Sequence, residues 1–314
     1  MSHIHSAFLP IRSLALAMLL SAAAIHAQKV GDFQGEILSL APTAEEAVIP
    51  ITAWSTGDWS KDTTPHFTVV VGTGFLVDRS CHFVTAAHVV GTKQISGVDV
   101  RLTATIRQRE GGGSGQAFDV VELDSDHDLA LCQIKGFKVY SPAQSPIAKS
   151  MKAEAAMPLP PGTTRLDATH PFASLQIASS PTTTGRLVLV SGFPLGSWTP
   201  TVQLGLIAAT STLYPPPAPP LTVKDGRDLL QISVSANHGN SGGPIIDLAT
   251  GEVIGVLLQL VPAPLAIGGQ LHYDAGTFEM SGLMLAAPAT WVNALLAKNG
   301  VQSEGVRSGK LVIW

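Results

Sequence analysis

Short runs of β-branched and aromatic residues recur along this chain, cut apart by glycine, proline and polar turns. In the first half they are HFTVVVGTGFLV (His66–Val77), HFVTAAHVV (His82–Val90), VDVRLTATI (Val98–Ile106) and DLALCQI (Asp128–Ile134). In the second half they are GRLVLVSGF, TVQLGLIAATST, LLQISVS, GPIIDL, GEVIGVLLQL and SGLMLAAP. Runs spaced roughly 8–15 residues apart, with turn signals between them, form the pattern of a sandwich or barrel. Proline has no N–H to give a sheet, so YPPPAPP (Tyr214–Pro220) is expected as a stiff exposed loop. EGGGSGQ (Glu110–Gln116) is expected as a flexible hairpin loop, and PATWVNALLAKNG as a helix that stops at Gly300. The predicted organisation is all-β. A leader over 1–27 and an N-terminal extension over 28–65 precede a first barrel over 66–140. A connection over 141–183 leads to a second barrel with its helix over 184–299, and a tail over 300–314 follows.

The leader rests on a basic flank at Arg12, an apolar run from Leu14 to Ile25 and a small residue at Ala27. That is the build of a secretory signal, and the run falls short of the roughly 20 residues a spanning helix needs. The mature protein is therefore expected to be exported, periplasmic or secreted, with no membrane span after signal removal. With 45% hydrophobic and 13% charged residues, the chain has the apolar content for a core. Its net charge of −4 and the lack of a basic cluster give no ground for a nucleic-acid partner. An exported chain permits a bridge between its two cysteines, Cys81 and Cys132, and two packed thiols are the alternative.

In NHGNSGGP (Asn237–Pro244), Ser241 stands among three glycines. Small residues there let the backbone curl until successive N–H groups converge on one point, where they stabilise negative charge on an attacked carbonyl oxygen. A serine hydroxyl is a weak nucleophile unless a base takes its proton, and that base needs a carboxylate to orient it. VTAAHVV supplies His88 at the end of a β-rich run. DSDHDLALCQI supplies Asp128 at the entry to an apolar strand, with Asp126 as the rival carboxylate.

GTGFLV, VTAAHVV, DHDLAL, VSGFPLG, GNSGGPI, GEVIGV and SGLMLAAP, in this order and spacing, resemble the trypsin-like (chymotrypsin-fold) serine proteases in their bacterial periplasmic Deg/HtrA-like branch. The resemblance covers Val69 to Ala297. It implies two six-stranded antiparallel β-barrels with a C-terminal helix, and hydrolysis of protein or peptide substrates without metal or cofactor. His88 matches the family's general base, Asp128 its orienting acid and Ser241 its nucleophile. Gly239, Asn240 and Ser241 match its oxyanion hole. Cys81 and Cys132 fall on runs that neighbour each other in that fold.

The resemblance also implies a substrate pocket walled by Ser235, Leu257, Leu258, Gly282 and Met284, with His238 at its rim. None of these six is an acid or a lysine or arginine, so the expected preference is for a small to medium apolar residue before the cut bond. The family's peptide-binding (PDZ) domain is not expected, because only the tail follows the terminal helix. An inactive protease-fold binding protein and a serine esterase are the competing readings. GNSGG lacks the strand-to-helix setting of the nucleophile elbow found in other serine hydrolases.

Overall fold

Among the residues described by the computed structural model (33–56, 67–107, 113–134, 173–211, 228–267, 270–272 and 278–305), the β-rich runs pair into two antiparallel sheets. The chain divides into units Met1–Leu40 and Ala41–Trp314, and both sheets belong to the second. Helix α1 occupies 33–47. The first sheet comprises β1 (Val48–Ser55), β2 (Thr68–Leu76), β3 (His82–Ala86), β4 (Gln94–Ile95), β5 (Val98–Arg107), β6 (Gly113–Gln116), β7 (Phe118–Asp124) and β8 (Leu129–Ile134). Its order is β4-β5-β1-β2-β3-β8-β7, with β6 on β5. Between β3 and β4 lies a single helical turn, α2 (Ala87–Val90).

The second sheet comprises β9 (Leu187–Gly192), β10 (Thr201–Ala209), β11 (Leu230–Ser233), β12 (Pro244–Asp247), β13 (Val253–Ile267), β14 (Gln270–His272) and β15 (Phe278–Pro288). Because β12 pairs with both β9 and β13, six of these strands close into a barrel, β12-β9-β10-β11-β15-β13. The first sheet shows no such closing pair among the described residues and is a half-barrel, where two full barrels were expected. Helix α3 (Ala289–Lys298) buries Val292, Leu295 and Leu296, and the chain turns off it at Gly300, whose φ is +67°.

Three local expectations change. The first sheet starts at Val48, inside the stretch read as an N-terminal extension. Pro50 breaks the β pattern of VIPITAWS, yet it costs no ladder bond, since β5 pairs with β1 only from Ile51 onward. Gly113–Gln116, read as loop, is a strand on β5. FDVVELD forms β7, where a bulge between Val120 and Glu122 spoils the alternation and leaves Val120, Val121 and Leu123 exposed. The leader, YPPPAPP, most of the 141–183 connection and the end of the tail lie outside the described residues.

The cores are aliphatic and aromatic. Phe75, Phe83, Leu129 and Leu131 are sealed in the first sheet, and Phe83 meets Phe118 edge-on at 5.3 Å. Val190, Ile207, Ile232 and Ile245 are sealed in the second. Each such side chain contributes about 1.5–3 kcal/mol through burial. A strap of buried residues joins the two sheets. Leu175 N–H donates to Leu76 O at 2.9 Å, Ala178 N–H to Val253 O at 2.8 Å, and Val253 N–H to Gln176 O at 2.8 Å.

Cys81 and Cys132 are free and buried. Their register explains why no bridge joins them. Cys132 lies opposite Phe83, while Cys81 lies opposite Ile134, whose N–H donates to Cys81 O at 3.2 Å. Diagonal neighbours of this kind sit roughly 7–8 Å apart, beyond the roughly 4.4–6.8 Å between Cα atoms that a disulfide spans. Burial pushes the Cys132 thiol from 9.0 up to about 12, and burial with the nearby Asp78 carboxylate pushes Cys81 up to about 11. Both thiols are raised in the folded state, so their stabilising effect is complete below pH 9.0. It is lost as pH rises through about 11 and then about 12. The melting temperature is expected to fall across that alkaline window, and replacing both cysteines with alanine should flatten the fall. Intact mass after alkylation near neutrality should show no adduct on the native protein and two adducts once it is unfolded.

Candidate active site

Strand β3 ends in Thr85-Ala86, and Ala87 opens α2 at once, the small alanines letting the chain turn into the helix that carries His88. Ala87 N–H donates to Asp128 O at 3.0 Å, and His88 N–H donates to Asp128 Oδ1 at 2.8 Å. The ring completes the grip, with His88 Nδ1 2.7 Å from Asp128 Oδ2. Asp128 is 2% exposed, and a buried carboxylate is tolerable because donors meet both its oxygens. With Nδ1–H donated to Asp128, His88 Nε2 keeps its lone pair. Asp128 is also one of few non-glycine residues with positive φ, at +54°. This left-handed conformation goes with a side chain turned onto His88 of α2, and it persists only where surrounding bonds over-determine it. The carboxylate on the ring thus belongs to Asp128 and not to Asp126.

Ser241 lies on the loop entering β12 of the other sheet. Its carbonyl accepts Thr73 N–H from β2 at 2.8 Å, and Gly242 N–H donates to Leu257 O at 2.7 Å. A Cβ on Gly242 would sit 2.8 Å from Ala86 N and 2.2 Å from Thr73 O, so the loop is pressed against the strand end that leads to His88. The structure therefore brings the loops bearing His88, Asp128 and Ser241 to one junction between the sheets. The Ser241 hydroxyl donates to Leu258 O at 3.2 Å rather than to His88. That bond is long for O–H···O and easily exchanged.

The backbone around Ser241 is a run of tight turns. Asn240 N–H donates to Asn237 O at 3.1 Å, and Gly243 N–H to Asn240 O at 2.9 Å. Among the described residues the N–H groups of Gly239 and Ser241 meet no acceptor. Leu195 N–H donates to His238 O at 2.6 Å, and in a trans peptide this turns Gly239 N–H the opposite way, off the protein framework. Gly239 has φ +96°, and a Cβ there would lie 2.2 Å from Phe193 O. Asn240 is 1% exposed, and its Nδ2 has no partner among the described residues.

The expected pocket residues divide. Ser235 and His238 are exposed and Gly282 is half-buried, with Val234 N–H donating to Gly282 O at 3.1 Å, so those two walls do meet. Leu257, Leu258 and Met284 are at most 2% exposed, on β13 and β15. Sequence reasoning missed Thr73, which is fully buried and bonded to the serine loop by backbone and side chain. Its Oγ1 donates to Gly239 O at 2.7 Å and accepts Phe193 N–H at 3.1 Å. The threonine within GTGFLV was the available signal.

Known proteins share this fold. The HtrA-type protease AlgW with a bound decapeptide superposes with a TM-score of 0.51 at 17% identity, over 83% of this chain and 66% of its own. An alanine-substituted AlgW with a tripeptide gives 0.50 at 18% identity, over 83% of this chain and 62% of its own. These likenesses establish the chymotrypsin-like fold. An uncharacterised protein of Sinorhizobium fredii, y4bJ, is 27% identical over 227 residues, 69% of this chain. The chain spans only 26% of that curated relative's length. The trypsin-like peptidase domain matches residues 72–256, a stretch that runs from β2 through His88, Asp128 and Ser241 into β13, and the chain belongs to that family.

Proposed function

We propose that this trypsin-like peptidase is an exported serine endopeptidase that works through an acyl-enzyme. Ser241 is the nucleophile, His88 the general base, Asp128 the orienting acid, and the Gly239 and Ser241 N–H groups the oxyanion donors. The observation that carries the reading is the two-point hold of Asp128 on His88, at 2.8 and 2.7 Å, which leaves Nε2 as a proton acceptor. The Ser241 hydroxyl leaves Leu258 O, turns to Nε2 and gives up its proton as Oγ bonds to the substrate carbonyl carbon. The carbonyl oxygen takes the negative charge and receives the two N–H groups. Collapse expels the amine, which takes the proton from His88, and water repeats the sequence on the acyl ester. Each oxyanion donor is worth about 10²–10³ in kcat.

The test is a serine-directed fluorophosphonate probe on the folded protein, followed by casein digestion. Stoichiometric labelling at Ser241 with casein cleavage supports the reading. An unlabelled folded protein would point to an inactive binding protein, and labelling with ester but no casein hydrolysis to an esterase.

Ser235 and Gly282, the open part of the pocket wall, carry no charge. A Lys or Arg head group buried there would lack a partner and lose several kcal/mol, whereas apolar groups gain roughly 0.8 kcal/mol per methylene. A peptide library should therefore be cut after Ala, Val, Leu or Met. A profile dominated by Arg, Lys or Glu would overturn this preference, the last by implicating His238. His272, the other histidine near this region, has a side chain outside the described residues.

A further inference from the structure

The turn that presents Asp128 does not stand alone. It spans residues 125–128 between β7 and β8, and His127 folds back within it. His127 N–H donates to Asp124 Oδ1 at 3.2 Å, and its Nδ1 lies 2.7 Å from Asp124 Oδ2. The outer face of the His127 ring rests on Trp291 of α3, with ring centroids 4.3 Å apart and planes 41° apart. Two helical turns further along α3, on the same face, Lys298 Nζ meets Glu122 Oε1 of β7 at 2.5 Å. One helix face thus touches the β7–β8 hairpin both at its tip and along its strand. Of the two contacts, the ring contact is the stronger hold, because Lys298 is exposed and such ion pairs are worth little.

Asp128 follows His127 directly and carries the strained positive φ. Each of its contacts with Ala87 and His88 of α2 depends on that conformation, which an aspartate adopts more readily than most residues but which its surroundings must still hold. We propose that Trp291 is a positioning residue for the reaction. By clamping the His127 ring it holds the turn that aims Asp128 at His88, so α3 takes part in setting the catalytic geometry from outside the site. This inference rests on the Ser241–His88–Asp128 reading and adds a residue to it that touches neither substrate nor reacting atoms. The clamp governs the orientation of the base and not substrate contact, so its loss appears in kcat and leaves KM in place. Small misplacements of catalytic groups cost up to about 10²-fold in rate, and a loosened turn that still samples the right geometry should cost about tenfold.

The experiment compares Trp291→Ala, Trp291→Phe, His127→Ala and the double alanine variant with the parent enzyme. It measures kcat and KM on a cleavable peptide, the rate of fluorophosphonate labelling, and melting temperature. The expected result is a fall of about tenfold in kcat and in labelling rate for each single alanine variant, with KM within about twofold. The double variant should be no worse than either single, because both remove the same contact, and Trp291→Phe should restore most of the rate. Should Trp291→Ala fail to fold, His127→Ala and Trp291→Phe decide the matter, since His127 is a surface-facing ring. Parental kcat in His127→Ala, losses confined to KM, multiplying losses in the double variant, or a Phe variant as slow as Ala would each overturn the proposal. A parent enzyme that takes no label would overturn the triad reading and this inference with it. A parent that labels, alongside variants that label equally fast, overturns the inference alone.

Discussion

Ser241→Ala is expected to fold like the parent and to lose about 10⁶-fold in kcat/KM. The fold should survive because the loop is held by its backbone. Ser241 O on Thr73 N–H, Gly242 N–H on Leu257 O and Leu257 N–H on Gly243 O are untouched by removing a hydroxyl. The only bond lost is the 3.2 Å contact to Leu258 O. The rate should collapse because no other hydroxyl on this loop can form the acyl bond. His88→Ala should be comparably severe, since the three groups act as a unit. Asp128→Asn should cost about 10⁴-fold: the amide offers N–H where Oδ2 accepted, the ring adopts the other tautomer, and Nε2 no longer accepts a proton. Steady-state kinetics on the purified variants, with circular dichroism to establish folding, checks all three. Near-parental turnover by folded Ser241→Ala would sink the assignment.

The second large effect is expected at Gly239. A methyl group there would lie 2.2 Å from Phe193 O, at a residue whose φ is +96°. The peptide must then rotate, which breaks the Leu195 N–H bond to His238 O and swings Gly239 N–H away from the oxyanion position. Gly239→Ala should lower kcat by about 10²–10³, the value of one donor. Gly185 offers a control, since its φ is +89° and a Cβ there meets nothing within 4 Å. Gly185→Ala carries the same backbone strain, about 1 kcal/mol or somewhat more, without the collision. It should lower the melting temperature and spare kcat. Equal kcat in Gly239→Ala and the parent would show that this N–H is not a donor to the transition state.

What the sequence disclosed and what it hid differ in kind. His88, Asp128 and Ser241 were singled out from the sequence because their strings, each weak alone, together and in this order resemble one family. Between Asp126 and Asp128, it is Asp128 that a left-handed turn brings onto the His88 ring of α2. Strand β1 was hidden by Pro50, and its tolerance there depends on where a distant strand begins to pair. Strand β7 was hidden by a bulge that shifts its alternation. Leu258 was expected through its side chain but acts here through its carbonyl, and residue identity carries no information about backbone acceptors. Leu257 and Met284 were placed on a pocket wall by the family resemblance. Whether they reach the cleft depends on which face of an interior strand they take.

Thr73 belongs to the first sheet, yet its N–H and hydroxyl serve the junction. Its N–H holds Ser241 O, its hydroxyl links Gly239 O and Phe193 N–H, and its carbonyl accepts Thr85 Oγ1 at 2.7 Å. Ser241, the proposed nucleophile, is therefore carried by one half of the molecule and aimed by the other. Turnover then becomes a gauge of how well the halves are seated. In rising urea the enzyme should fall silent before its strands melt, because a slight parting of the sheets frees the serine loop while each sheet keeps its ladder. Two halves made as separate polypeptides should each be mute and recover a signal only on recombination.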